Sequence, residues 1–238
     1  MPTPSHTVRC KKIESITHNV RKIYFEKPER FRFTPGQFIL VDVPLLDDPS
    51  DIQPRAYSIA STPDEEDLML IIKIRPGGRA GEWISKQLKE GDEVNIQGPL
   101  GVFGLDKNSP KDYLFICTGV GSAPFRSIIK SSLVGGEKRR MDLIVGVLAE
   151  EDIFLKKELD ELSKEHENFN CHFTLSDPSE AWTGHKGYVQ KLVPILVSDF
   201  SNKSIYVCGN PLMTDDVKKL CGGKWGVSKD DFYIEGYI

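Results

Sequence analysis

Through the first hundred residues, apolar and polar positions alternate in short runs broken by Gly and Pro. "KIYFEKP", "GQFILVDVP", "AYSIAS", "LMLIIKI" and "DEVNIQGPLG" have the length and character of strands, and no long helical period separates most of them. Short strands at this spacing predict a small antiparallel barrel or sandwich. One helix interrupts the series. "AGEWISKQLKEG" places Trp83, Ile84 and Leu88 at helical intervals, and Gly91 ends the run.

The pattern changes at the polar, Pro-containing "DKNSPKD", residues 106–112. Beyond it, the buried-strand runs "YLFICTG", "MDLIVGVLA", "CHFTLSD" and "SIYVCG" alternate with the helical segments "APFRSIIKSSLVGG", "EDIFLKKELDELSKEH" and "PLMTDDVKKLC". Such alternation predicts a parallel sheet with helices on both faces. The expected organisation is therefore an antiparallel β-barrel domain over 1–107 followed by an α/β nucleotide-type domain over 108–238, without internal repeats.

Composition agrees with two ordinary cores. The chain has 238 residues, 39% hydrophobic and 28% charged, which excludes a disordered chain. No apolar run approaches the ~20 residues that span a bilayer. The start "MPTPSHTVRCKK" lacks the apolar core of a secretory signal, so a cytoplasmic address is expected; a monomer is expected as well. The five cysteines and five histidines are scattered with no ligand-like spacing; reduced thiols and no metal site are expected. Net charge is −4, and no nucleic-acid partner is expected. Residues 1–40 nevertheless carry eight Lys/Arg against three Asp/Glu, a balance of +5 that leaves −9 elsewhere. This is either a solvated outer face or a basic docking surface for an acidic protein. "DEEDL" (Asp64 to Leu68) reads as a solvated turn between strands.

Three stretches bear chemistry. "FICTGVGSAPFRSII" is a strand, a glycine turn and a helix, in which Gly119 and Gly121 let backbone amides approach a phosphate. "YVCGNPLM" is a second glycine turn at the carboxyl edge of the same sheet, where open α/β sheets bind ligands. Alone, Cys208 there reads as a core thiol. "QPRAYSIAST" sets Arg55, Tyr57 and Ser58 in a strand whose packing does not need that pattern.

"PGQF" (Pro35 to Phe38), "RAYS" (Arg55 to Ser58), "TGVGSAPF" (Thr118 to Phe125), "CGNP" (Cys208 to Pro211) and the terminal "YIEGYI" occur in that order. The series resembles the ferredoxin–NAD(P)+ reductase family, a flavin-binding β-barrel joined to a pyridine-nucleotide domain, over nearly the whole chain. The resemblance implies that Arg55 binds a flavin phosphate. Tyr57 lies against the isoalloxazine, Ser58 bonds near its N5 edge, and Ala56 sits between them. The segment "IKIRPGGRAGEW", headed by Ile72 and Lys73, matches the place where the family binds the flavin pyrophosphate through a G-x-x-S or G-x-x-T turn. Here that turn is Gly78, Arg79, Ala80 and Gly81, with backbone amides in place of the missing hydroxyl. Arg79 is a phosphate partner or a surface charge. FAD is implied over FMN.

By the same resemblance, Thr118, Gly119, Val120 and Gly121, with Gly209, Asn210 and Pro211, cradle the nicotinamide nucleotide. Ser58, Cys208 and Glu235 lie at the flavin edge, and Tyr237 stacks where nicotinamide must arrive. Ile238 is one residue beyond the family's usual aromatic ending. The implied reaction is hydride transfer between nicotinamide C4 and flavin N5. NADP-specific members carry Ser-Arg where this chain has Ser176–Asp177, and "LAEED" (Leu148 to Asp152) is also acidic; NADH is favoured over NADPH. The implied partner is a separate ferredoxin or flavodoxin. Two other readings stay open: a reductase using flavin as a dissociable substrate, and a non-enzymatic relay subunit of a larger redox complex.

Overall fold

The structure of the chain, a computed structural model, describes residues 3–237. It has two compact units, Met1–Gly104 with Ala123–Ser131, and Leu105–Ser122 with Ser132–Ile238.

In the first unit β1 (Ser5–Ser15), β2 (Val20–Glu26), β3 (Phe38–Pro44), β4 (Ile52–Ser58), β5 (Asp67–Lys73) and β6 (Glu93–Leu100) form one antiparallel sheet, ordered β4-β3-β6-β1-β2-β5. A bridge between Ile59 and Leu70 draws the two edges together, so the sheet curls into a half-closed barrel. Inward positions alternate along each strand and put Ile23, Ile39, Leu70 and Ile96 in a fully buried core. Trp83 and Ile84 of α1 (Arg79–Lys86) enter the same core. Pro54 is tolerated because β4 is an edge strand.

In the second unit β7 (Asp112–Thr118), β8 (Met141–Val147), β9 (Phe169–Leu175), the two-residue β10 (His185–Lys186), β11 (Lys203–Gly209) and β12 (Phe232–Gly236) pair in parallel throughout. Their order is β10-β9-β8-β7-β11-β12. The helices of this unit are α3 (Lys156–Glu165), α4 (Val189–Leu196) and α5 (Pro211–Gly222), whereas α2 (Ser122–Val134) lies mostly in the first unit through Ala123–Ser131. Leu114, Ile116, Ile144 and Val207 meet Leu192 and Val193 of α4 and Met213 and Val217 of α5, all buried. Burying each such side chain contributes about 1.5–3 kcal/mol. Strand order reverses between β7 and β11, which makes the carboxyl ends of these two strands the switch point where ligands enter open sheets.

Several local expectations change. The first helix ends at Lys86, not Gly91, because Gln87 and Leu88 both donate to the Trp83 carbonyl and Gly91, at φ +98, turns the chain into β6. "EDIFLKKELDELSKEH" is not one helix: a short 3₁₀ turn at Glu150–Asp152 is separated from α3 by Leu155 at φ +59. β1, β10, β12 and α4 were not anticipated from the pattern. Part of the basic start makes local contacts. Lys11 pairs with Glu66 and Asp67, Lys12 with Glu14, and Arg21 and Lys27 donate to backbone carbonyls.

The turn "DEEDL" is not merely solvated. Arg126 of α2 is buried and binds both Glu65 carboxylate oxygens at 2.9 Å, donates to the Ala60 carbonyl at 2.7 Å, and is joined on Glu65 by Lys130 at 2.6 Å. Burial alone would raise the Glu65 pKa. The Arg126 and Lys130 hydrogen bonds and the Arg126 charge outweigh it and hold the carboxyl at about 2.

Candidate functional site

The candidate residues of the first unit lie on β4 and around the start of α1. Strand alternation puts Arg55 and Tyr57 on one face of β4 and Ala56 and Ser58 on the other. Tyr57 pairs with Ile39, packs on the barrel core and is half-buried; burial pushes its hydroxyl up to about 12, so it is a neutral phenol. Arg55 donates to the Pro54 carbonyl at 3.0 Å and Gln53 Oε1 at 2.8 Å, which lays it back along its own strand. Ser58 is buried and pairs with Phe38. On β5, Ile72 is buried and Lys73 exposed, opposite Arg21 and Val20.

Gly78 begins α1 without a side-chain cap, leaving a helix start of backbone amides. Gly81 explains the missing hydroxyl. It is buried, and a Cβ added there would lie 2.5 Å from the Arg75 carbonyl oxygen and 3.0 Å from the Arg75 nitrogen. Any side chain at this position must push backbone aside. Arg79 binds Asp51, donating to its carbonyl at 2.6 Å and to Oδ2 at 2.7 Å, with its side chain 11% exposed. It therefore fastens α1 to the β3–β4 loop. Ala80 packs on the core. Gly81→Ser, which restores the family-like hydroxyl, is expected to lower stability by about 1–3 kcal/mol and to weaken flavin retention. Thermal unfolding and the flavin-to-protein absorbance ratio check this.

In the second unit the two glycine turns interlock at the switch point. Thr118 ends β7, a 3₁₀ turn covers Gly119–Gly121 with Val120 at its centre, and Ser122 Oγ donates to the Gly119 carbonyl. Gly209 ends β11 at φ +138, where a Cβ would lie 2.9 Å from the Thr118 nitrogen. A Cβ on Gly121 would lie 2.7 Å from both the Cys208 carbonyl carbon and the Gly209 Cα. Thr118 Oγ1 accepts from the Asn210 N–H at 3.0 Å, and Asn210 Oδ1 caps α5 by accepting from Leu212 N–H, with Pro211 in the first turn. Two segments ninety residues apart thus approach through backbone because neither carries a Cβ at the contact.

Cys208 lies in register with Cys117 on one side and Glu235 on the other, so all three face the same side of the sheet. The Cys208 thiol is fully buried. Burial first, then the Glu235 charge, push its pKa well up against an opposing hydrogen bond from Tyr237, so it is a neutral thiol. Tyr237 N–H donates to the Gly209 carbonyl at 3.1 Å. Cys208, Glu235 and Tyr237 are therefore brought together by β11 and β12, whereas Ser58 belongs to the first unit. Ile238 lies outside the described residues.

The acidic positions also converge. Asp177, exposed just beyond β9, donates its N–H to the Leu148 carbonyl at 2.8 Å, and Glu150 accepts from Ser179 Oγ at 2.5 Å. "LAEED" and "SDPS" thus form one edge. The pairing of Glu150 with Ser179 had no signal in the sequence. Among the described residues no group of three or more His, Cys, Asp or Glu could hold a metal ion, and no helix is long and apolar enough to cross a membrane.

A cationic strand residue, a half-buried phenol and an uncapped helix start suit a dinucleotide with a flat ring system. Interlocked glycine turns at a sheet switch point suit a second nucleotide. Comparison with known proteins agrees. An oxidoreductase FAD-binding domain model matches residues 7–104, and an oxidoreductase NAD-binding domain model matches residues 115–219. The chain is 32% identical over 233 residues to ferredoxin–NADP reductase B of Sorangium cellulosum, covering 94% of each protein. It is 30% identical over 224 residues to the glycine betaine monooxygenase reductase subunit of Pseudomonas aeruginosa, covering 92% of this chain but 60% of that protein. The crystal structure of Amycolatopsis cytochrome P450 reductase GcoB matches with a TM-score of 0.87 at 26% identity, over 99% of this chain and 71% of that one. The chain belongs to the ferredoxin–NAD(P)+ reductase family, as an oxidoreductase that binds FAD and NAD(P)H.

Proposed function

We propose that this protein exchanges electrons between NADH and a separate ferredoxin- or flavodoxin-type carrier, with FAD tightly held. Bound FAD supplies the conversion between two-electron nicotinamide chemistry and one-electron carriers. The protein supplies position. Arg55 balances phosphate charge, the Tyr57 ring offers a face to the flat tricycle, and the amides of Gly78 to Gly81 turn toward the pyrophosphate. Ser58 donates a hydrogen bond at the reactive edge. In the α/β unit, Thr118–Gly121 and Gly209–Pro211 cradle the nucleotide, Cys208 and Glu235 orient the nicotinamide, and Tyr237 yields its place as the nicotinamide arrives. The name of the Sorangium relative supports a ferredoxin-type carrier. Five free thiols suit the reducing cytoplasm.

The preference for NADH rests on one observation: Asp177 stands exposed at the carboxyl edge, with Glu150 bonded to Ser179 two residues on. A carboxylate repels a 2′-phosphate and accepts hydrogen bonds from a ribose diol. The Sorangium relative carries NADP in its name, so the two nucleotides must be compared directly on this chain. Wild-type kcat/KM is expected to favour NADH. Asp177→Arg should raise kcat/KM for NADPH about tenfold through a charge-assisted hydrogen bond and lower that for NADH. A wild type that favours NADPH overturns the reading.

A second reading, a reductase that treats flavin as a dissociable substrate, is favoured by Gly81, where sterics exclude the hydroxyl that would grip the pyrophosphate. Protein that elutes colourless from gel filtration supports it, and yellow protein excludes it.

A further inference from the structure

We propose that Glu150 is a positioning residue for the adenosine ribose: through Ser179 it holds the loop that presents Asp177, and so sets the preference for a free 2′,3′-diol. The inference rests on the reading of Asp177 above and extends it to a residue that need not touch the nucleotide.

The geometry is a clamp between two loops 29 residues apart. Glu150 opens the 3₁₀ turn after β8, and that turn is locked by Asp152 Oδ2 accepting from the Ala149 N–H at 3.2 Å. From this fixed base the Glu150 carboxylate accepts from Ser179 Oγ at 2.5 Å and from Ser179 N–H at 3.1 and 3.3 Å. The Ser179 hydrogen bond, first of all, holds the carboxyl below its ordinary range, so it is an anion at neutral pH. Upstream, Ser176 N–H donates to the Val147 carbonyl at 3.1 Å and Asp177 N–H to the Leu148 carbonyl at 2.8 Å. Downstream, Trp182 N–H donates to the Ser179 carbonyl and its indole Nε1 to the His185 carbonyl.

Asp177 is thus pinned on both sides, by backbone before it and by the Glu150–Ser179 contact after it. From 176 to 188 the loop contributes no core residue, with Trp182 half-buried. Glu150 ties Ser179 directly to the β8 side, whereas farther downstream the loop is held through β10 on β9. A bidentate contact between a carboxylate and a ribose diol needs that geometry fixed before binding.

The test uses the flavin-loaded protein with NADH and NADPH as separate donors and ferricyanide as acceptor. Loop order is read independently by acrylamide quenching of tryptophan fluorescence without nucleotide. Trp83 and Trp225 are buried, so the quenchable signal is Trp182. Glu150→Ala should raise KM for NADH about tenfold, the worth of a lost hydrogen bond. Its kcat should change less than about twofold and KM for NADPH stay put, while quenching increases. Ser179→Ala should do the same to a smaller degree, and the double variant should be no worse than Glu150→Ala. Glu150→Gln keeps an accepting oxygen and should stay near wild type.

Four results overturn the proposal. Unchanged quenching in Glu150→Ala removes the clamp. Equal KM increases for both nucleotides reduce it to general support. A Glu150→Gln variant that gains NADPH activity shows the charge, not the clamp, to be what discriminates. If the wild type favours NADPH, the proposal falls with the reading of Asp177. The quenching measurement, which needs no nucleotide, separates that failure from loss of the clamp.

Discussion

Glu65→Ala is expected to destabilise the barrel unit by about 3–5 kcal/mol, because it leaves the buried Arg126 guanidinium without its counter-charge. For a chain of this size that corresponds to a fall of about 10 °C in Tm. The loss should far exceed that from removing Lys11 or Lys12, whose own side chains are 39% and 57% exposed. The pH dependence has a definite sign. Glu65 is held at about 2, below its ordinary 4.5. A depressed carboxyl contributes stability that is present above the unfolded value and is lost as pH falls through the folded one. The stability difference between wild type and variant should therefore be constant from neutral pH to about 5 and shrink below about 4.5. Urea unfolding midpoints across that range check it. A difference that does not narrow in acid, or one below about 1 kcal/mol, the range of exposed pairs, rules out the anchor. Arg126→Met is the control: Glu65 then keeps Lys130, and the cost should be smaller than for Glu65→Ala.

Gly121→Ala is the second large effect. Its Cβ must displace backbone, since the atoms 2.7 Å away are the Cys208 carbonyl carbon and the Gly209 Cα, neither of which can rotate aside. The turn after β7 and the turn after β11 must then separate. Displacing a cradle by about 1 Å costs about a hundredfold in rate, so kcat/KM for NADH with ferricyanide should fall by about that factor. Bound flavin should persist, because Gly121 lies in the α/β unit and the residues proposed to hold FAD lie in the barrel unit. Steady-state kinetics and the absorbance ratio measure both quantities. Retention of kcat/KM within about threefold would show that the interlock is not what shapes the nucleotide site.

Both experiments probe contacts between residues far apart in the chain, and such contacts mark the boundary of what the sequence discloses. Most strands of both units were legible because their apolar spacing is a local property. β10 and β12 were not, being short, and β1 is the most informative exception. In β1 the inward residues Val8 and Cys10 keep an alternation that the irregularity between Cys10 and Lys12 breaks, so Ile13 falls on the wrong parity and the strand hides among its lysines. Pro194 concealed α4 in the same way, by placing a helix breaker inside a helix. At the candidate site, the turns Thr118–Gly121 and Cys208–Pro211 could be recognised as glycine turns, but not that each excludes a Cβ on the other.

The amino-acid sequence by itself determined the order of elements, the residue types at the candidate site and the family, because periodicity, turn chemistry and motif order are written along one dimension. Only the tertiary structure decided that Gly81 has no room for a hydroxyl, that Glu65 anchors Arg126 and that Glu150 grips Ser179. Those outcomes depend on which backbone atoms and charges come within a few ångströms across tens of residues, and steric exclusion and ion pairing act through space rather than along the chain.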